Sequence, residues 1–186
     1  PEPLQYKARN VWDFPKRIEE CVALLKARRE QVNVPCYAYE YHFWRHQYYD
    51  VCGISLADIV NQDVKAYKKK DVNGIIEDGS QRSFFPTGLA FYVYARTMYN
   101  DTLTYDELVE EYFSCAFGKD WKIIFDPEVP TNRSTACTYQ KGVTKVNCLD
   151  FFIASPNIQI ESVNCIDLGF ESSDHNPVIT TFSLTQ

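Results

Sequence analysis

Three residues near the end of the chain have types and spacing suited to phosphoester chemistry. They are Asp150 in CLDFF, and Asp174 and His175 in SSDHNPV. Cleaving a phosphodiester with a divalent metal needs oxygen ligands for the ion and a positioned histidine near the phosphate. A second carboxylate must hold that histidine in one tautomer. An isolated Asp-His dipeptide more often marks a turn. Here Asp150 lies on a preceding strand-like run, at a spacing that allows strand pairing to bring it to His175.

A second set of candidates suits sugar chemistry. Glu40 in YEYH and Glu77 in IIEDG close two short apolar runs separated by a helical stretch. In parallel α/β folds chemistry gathers at the carboxyl ends of strands. Neighbouring strands lie about 4.8 Å apart, so two such carboxylates could approach the roughly 5 Å that retaining glycosidases use. One would stay protonated as acid while the other is ionised, because like charges push their pKa values apart. Tyr41, Trp44, Arg45 and His46 follow the first strand as candidate substrate-binding groups. The competing role for either Glu is structural, as an N-cap partner or in an ion pair with Arg45 or Arg82. Asp63, inside a helical run, reads as a solvated surface residue.

The elements that must position these residues change style along the chain. KRIEECVALLKARREQ places Ile18, Cys21, Val22 and Leu25 on one helical face. VPCYAYEYHF is a strand, and SLADIVNQDVKAYKKK a helix with Leu56, Ile59, Val60, Val64 and Tyr67 inward. Ser55 and Asp58 offer that helix a capping signature. VNGIIEDGS is a second strand, and TGLAFYVYARTMY is apolar almost all round, the pattern of a helix buried on several sides. Thr104 and Glu107 open TYDELVEEYFSCAFG as a capping box, and Gly118 is placed to stop it. Strands alternating with helices predict parallel βαβ units.

After residue 122 the pattern is lost over IIFDPEVPTNRSTA, and then short strand-like runs follow: ACTY, NCLDFFIAS, IQIESVNC and PVITTFSL. In the last of these Val178, Thr180, Phe182 and Leu184 share a face. The expected organisation is residues 1–122, a junction at 123–131 and a tail at 132–186.

Composition narrows the field. The net charge of -6, with three Lys and Arg against seven Asp and Glu after residue 122, disfavours unassisted nucleic-acid binding. No apolar run is long enough to cross a membrane. The opening PEPLQYKARN has no signal-peptide core and no Met, so an upstream segment is expected. Seven scattered cysteines without C-x-x-C spacing argue against zinc and for free, buried thiols. The sequons at Asn100 and Asn132 are short enough to arise by chance.

The run EYHFWRHQYYDVCGISLADIVNQDVKAYKKKDVNGIIEDG, with FPTGLAFYVYARTMYN and YDELVEEYFSCAFGKDW, resembles a bacterial glycoside-hydrolase-like barrel family of carbohydrate-utilisation proteins. The likeness covers about residues 12–122 and implies the end of a TIM barrel plus the helices after it. It implies a carbohydrate ligand but transfers no catalytic residue, so Glu40 and Glu77 rest on their strand-end positions. A whole barrel takes about 250 residues, and the earlier strands are missing.

Residues 132–186 resemble the C-terminal end of the endonuclease/exonuclease/phosphatase superfamily. Leu149-Asp150-Phe151 matches its aliphatic-Asp-aromatic strand, and Ser173-Asp174-His175-Asn176-Pro177-Val178 its Ser-Asp-His-x-Pro-aliphatic motif. The resemblance implies His175 as the catalytic histidine and Asp150 as its orienting partner. It makes Asp174 a carboxylate for metal or phosphate, leaves Asn176 a neighbour without a role, and implies Mg²⁺ as cofactor. Cys148 stands where that family usually carries Arg. The metal-binding motifs that should precede the tail have no counterpart, which leaves Mg²⁺ few oxygen ligands.

Together these readings describe an α/β chain, a partial barrel end followed by a mostly β tail like the last strands of a two-sheet sandwich. A hydrolase-derived fragment or chimera is expected, carbohydrate-active first because that half is longer, and with little activity from either part alone. A metal-dependent phosphodiesterase or phosphatase and a non-catalytic carbohydrate-binding module are the alternatives.

Overall fold

Four helices and eight short strands follow one another in the described part of the chain. The structure, a computed structural model, describes residues 17–43, 53–77, 85 and 88–185. The class is mixed helix and strand. Among the described residues the strands form four separate two-stranded sheets, and no closed barrel is present. The chain divides into two compact units, residues 1–40 with 66–76, and 41–65 with 77–186.

The first unit holds α1 (Ile18–Gln31) and β1 (Tyr37–Glu40), with most of β2 (Gly74–Glu77). Glu19 and Glu20 in the first turn of α1, and Arg28 and Arg29 in its last, complement the helix dipole. The face formed by Ile18, Cys21, Val22 and Leu25 is not a core face, because no residue of α1 is buried and Ile18 is 80% exposed. The face is covered only in part: Val22 and Leu25 are half-buried, and Cys21 and Leu25 line a groove with Pro35, Cys36 and Tyr37. β1 and β2 are hydrogen-bonded neighbours. Asn73 fixes their start: its side chain accepts from Cys36 N–H at 2.8 Å, and its own N–H donates to Cys36 O at 2.7 Å. A Cβ on Gly74 would lie 2.7 Å from the Tyr37 ring, so a larger residue there would displace that exposed ring.

The second unit takes its helical core from α2 (Ile54–Lys68), α3 (Leu89–Tyr99) and α4 (Tyr105–Phe117). Leu56, Val60 and Val64 of α2 are buried as their spacing predicts, whereas Ile59 is half exposed. α2 begins at Ile54, behind Gly53 at φ +70°, so Ser55 already lies inside the helix and does not cap it. α3 buries one side only, Leu89, Ala90, Val93 and Thr97, and leaves Tyr99 on the surface. Its apolar surroundings are thus narrower than the sequence suggests. Inside, the Asn61 amide donates to the Thr97 hydroxyl at 2.8 Å, which satisfies two buried polar groups at once. Fully buried Phe43 packs against Phe91 and Tyr94, and Phe113 against Trp121. Each such ring contributes about 1.5–3 kcal/mol by leaving water. The capping box forms in full at Thr104 and Glu107, and Gly118 at φ +84° ends α4.

The tail pairs β3 (Lys122–Ile124) with β6 (Phe152–Ala154), and β4 (Asn132–Arg133) with β5 (Val146–Asn147). The longest ribbon is β7 (Ile158–Cys165) against β8 (Val178–Leu184), shifted in register at Ile160/Ser162, and all three pairings of the tail are antiparallel. In β8, Val178 and Thr180 are half-buried, but Phe182 and Leu184 are exposed, so the alternating face is covered only near its start. Of the described cysteines all are free, yet only Cys36 and Cys165 are buried. No helix among the described residues is long and apolar enough to cross a membrane.

Candidate functional site

The stretch that lacks any sequence period is what organises the tail. Asp126 accepts the Cys165 N–H at 2.8 Å, and Pro130 O accepts the Asn176 amide at 2.9 Å. Thr131, with no exposed surface, sits at the centre. Its hydroxyl accepts the N–H groups of Leu149 (2.8 Å) and Asp150 (3.0 Å). Its backbone accepts from Asn176 N–H and donates to Asn147 O. Asn176, 3% exposed, also accepts the Leu168 N–H. It therefore has a positioning role, binding the SSDHNP turn to the 130–131 segment.

That frame brings together residues 25 apart in sequence. His175 Nδ1 lies 2.7 Å from Asp150 Oδ2, and the opposite ring nitrogen, Nε2, lies 3.0 Å from Asn132 Nδ2. The Asn132 Nδ2 group can only donate, so in the neutral ring Nε2 accepts and Nδ1 carries the proton donated to Asp150. The backbone prepares this geometry: Ser173 Oγ accepts the His175 N–H at 3.1 Å, and Asn132 and His175 form an isolated antiparallel bridge. His175 and Asp150 side chains are 44% and 41% exposed, so the pair is open to a ligand.

Asp174 participates through its backbone carbonyl, which accepts from Arg133 N–H at 3.0 Å and from the Asn132 amide at 3.3 Å. Among the described residues no three His, Cys, Asp or Glu side chains converge as a cation centre would. The described donors around Asp174 therefore do not by themselves fit Mg²⁺, which demands a near-octahedral oxygen shell. Cys148, in the position where Arg was expected, turns its thiol toward the carbonyls of Asp126 and Val129. Burial, followed by the nearby Asp126 carboxylate, raises the Cys165 thiol above its ordinary pKa, so it stays protonated and inert. The Cys165 N–H, then that of Glu128, hold Asp126 below the usual carboxylate range.

The two strand-end glutamates have separate partners. Glu40 accepts from the Tyr67 hydroxyl. Glu77 Oε1 lies 2.6 Å from His42 Nδ1, and His42 Nε2 lies 3.2 Å from Asp63 Oδ2. His42 and Glu77 side chains are each 9% exposed. An imidazole facing two carboxylates donates to both only when it carries both ring protons. Glu77 Oε2 is buried without a hydrogen-bond partner among the described residues. Burial, then the Glu77 charge, raises the pKa of Tyr94. Asp63, half exposed as expected, thus also has a partner in His42. Tyr41 is exposed, and Trp44, Arg45 and His46 lie outside the described residues.

Sequence reasoning did not select Asn132, Thr131 or His42. Asn132 carried only a sequon, and its partner is 43 residues away. His42 stood beside Glu40 in the strand-end reading, yet its partner is Glu77, 35 residues on. No local signal announces either contact.

Comparison with protein-family models, curated proteins and solved structures finds no significant match to this chain.

Proposed function

We propose that the tail carries the acid–base half of a phosphoester-hydrolysing site of the endonuclease/exonuclease/phosphatase type. The observation that supports it is the 2.7 Å contact between His175 Nδ1 and Asp150 Oδ2, which leaves Nε2 as the base. In this reading a water displaces the Asn132 amide from Nε2 and gives up a proton there as its oxygen bonds to phosphorus. Asp150 stabilises the imidazolium so formed. The ester oxygen then departs and takes the proton from Nε2–H. An activated diester, with its good leaving group, needs little acid assistance at that last step. The test is release of nitrophenolate from bis(p-nitrophenyl) phosphate by the full chain, compared with His175→Ala.

A second reading, the carbohydrate-active one, is supported by Glu77. Its buried carboxylate has one oxygen unpartnered among the described residues, with Tyr94, Phe43 and Phe91 in the same unit. From the element order β1, α2, β2, α3, α4 we propose that residues 12–122 derive from the end of a (β/α) barrel, with α3 and α4 the helices that follow its last repeat. Turnover of an aryl-glycoside that is abolished in Glu77→Gln supports it; turnover that survives this change removes it. The tail reading takes precedence because its proposed acid–base pair is already formed and exposed.

A further inference from the structure

The chain after β4 and residues 169–171 border an open cavity of about 580 Å³, within the size range of small-molecule sites. Arg133 is the cation on its wall. Nη1 donates to Ser134 O at 3.1 Å, but Nε is buried without a partner among the described residues. Buried donors in native proteins are almost always paired, so this guanidinium is not fully satisfied within the described chain. A guanidinium fork is matched best by two oxygens of one anion. Thr135 and Thr138 add hydroxyls to the same wall.

The facing wall is aromatic and is held under strain. Phe170, 5% exposed, adopts φ +53° next to Gly169 at +62°. A bulky side chain in the left-handed region is strained, and such strain clusters at ligand sites. The Phe170 ring meets Tyr139 edge-on at 4.9 Å. An arginine with an unspent donor and a fixed aromatic pair together describe a ligand that carries an oxyanion on a planar ring.

Asn132 and Arg133 are consecutive on β4, so their side chains project from opposite faces. Asn132 reaches His175, which puts the cavity on the other side of the strand from the dyad. We propose that this cavity is a separate binding site for a phosphate monoester of an aromatic or heteroaromatic group. Arg133 grips the phosphate, and Tyr139 and Phe170 pack on the ring. The Glu171 carboxylate at the cavity wall opposes the anion and weakens its binding.

Calorimetric titration of the full chain with phenyl phosphate, inorganic phosphate and benzoate tests the proposal. Phenyl phosphate binds saturably, and about tenfold tighter than inorganic phosphate, because only it has a ring to pack. It also binds more tightly than benzoate, which has one charge fewer. Arg133→Gln weakens phenyl phosphate binding about tenfold or more. Glu171→Gln, at an exposed position that does not disturb folding, strengthens it about threefold. His175→Asn leaves it unchanged, which separates this site from the dyad whatever the dyad does. No saturable binding, or binding indifferent to both Arg133→Gln and Glu171→Gln, overturns the proposal. Binding lost in His175→Asn overturns it too, since the ligand would then sit at the dyad.

Discussion

Thr131 holds Asp150 by the backbone: its fully buried hydroxyl accepts the Asp150 N–H at 3.0 Å and the neighbouring Leu149 N–H at 2.8 Å. One side chain thus fixes where the dyad's carboxylate begins, from a segment that has no helical or strand pattern. Thr131→Val keeps the shape and deletes the acceptor, leaving two N–H groups without it. The expected loss is about 2 kcal/mol or more in a denaturant titration. Thr131→Ser keeps the hydroxyl and should restore most of that loss.

The tautomer of His175 follows from its two partners and is open to direct measurement. Long-range ¹H–¹⁵N NMR should find the neutral ring protonated on Nδ1, which donates to Asp150, with Nε2 accepting from Asn132. Asp150→Ala removes the acceptor and should abolish that preference. A ring protonated on Nε2 in the unaltered protein contradicts the assigned arrangement.

How far the sequence revealed this arrangement depends on how local each signal is. Thr104 and Glu107 are three residues apart, and their capping box forms as their types predict. Asp150 and His175 were selected through two short motifs, one around each residue, that resemble those of a known superfamily; their separation of 25 residues carried no signal of its own. Asn132 and Thr131 act through partners 18 to 43 residues away, a distance over which composition says nothing about pairing. The Ile18–Leu25 face shows the same limit: periodicity makes a helix amphipathic but does not supply the element that buries it. Ser55 was misplaced because Gly53, at φ +70°, lets the helix start at Ile54.

Acid should weaken the tail through Asp126. Its pKa is lowered from 3.8, first by the Cys165 N–H and then by that of Glu128. A depressed carboxylate contributes stability above its unfolded value, and the contribution drains away as pH falls through the lower folded value. Glu107, lowered by the backbone and hydroxyl of Thr104, adds the same sign of dependence at α4. Melting temperatures should therefore fall on acidification below the ordinary carboxylate range, and less steeply in Asp126→Asn. An unchanged slope in that variant would show that Asp126 does not contribute.

The His42–Glu77 pair is nearly dry, at 9% exposure on each side, and should behave as a coupled unit. Glu77→Ala leaves His42 facing Asp63 alone in a buried setting and should cost about 3 kcal/mol. His42→Ala should cost a similar amount, and the double variant much less than their sum. Additive losses in the cycle would mean that the two side chains do not act together.

The most direct test of the central claim is the rate of bis(p-nitrophenyl) phosphate cleavage by the folded full chain, with and without added Mg²⁺, beside His175→Ala and Glu77→Gln. If His175 Nε2 is the base, His175→Ala should lower the rate by about 10²–10⁴-fold, the usual contribution of a positioned acid–base group. Glu77→Gln should leave the rate unchanged. Cleavage that persists in His175→Ala, or a folded chain that gives none at all, would contradict the account.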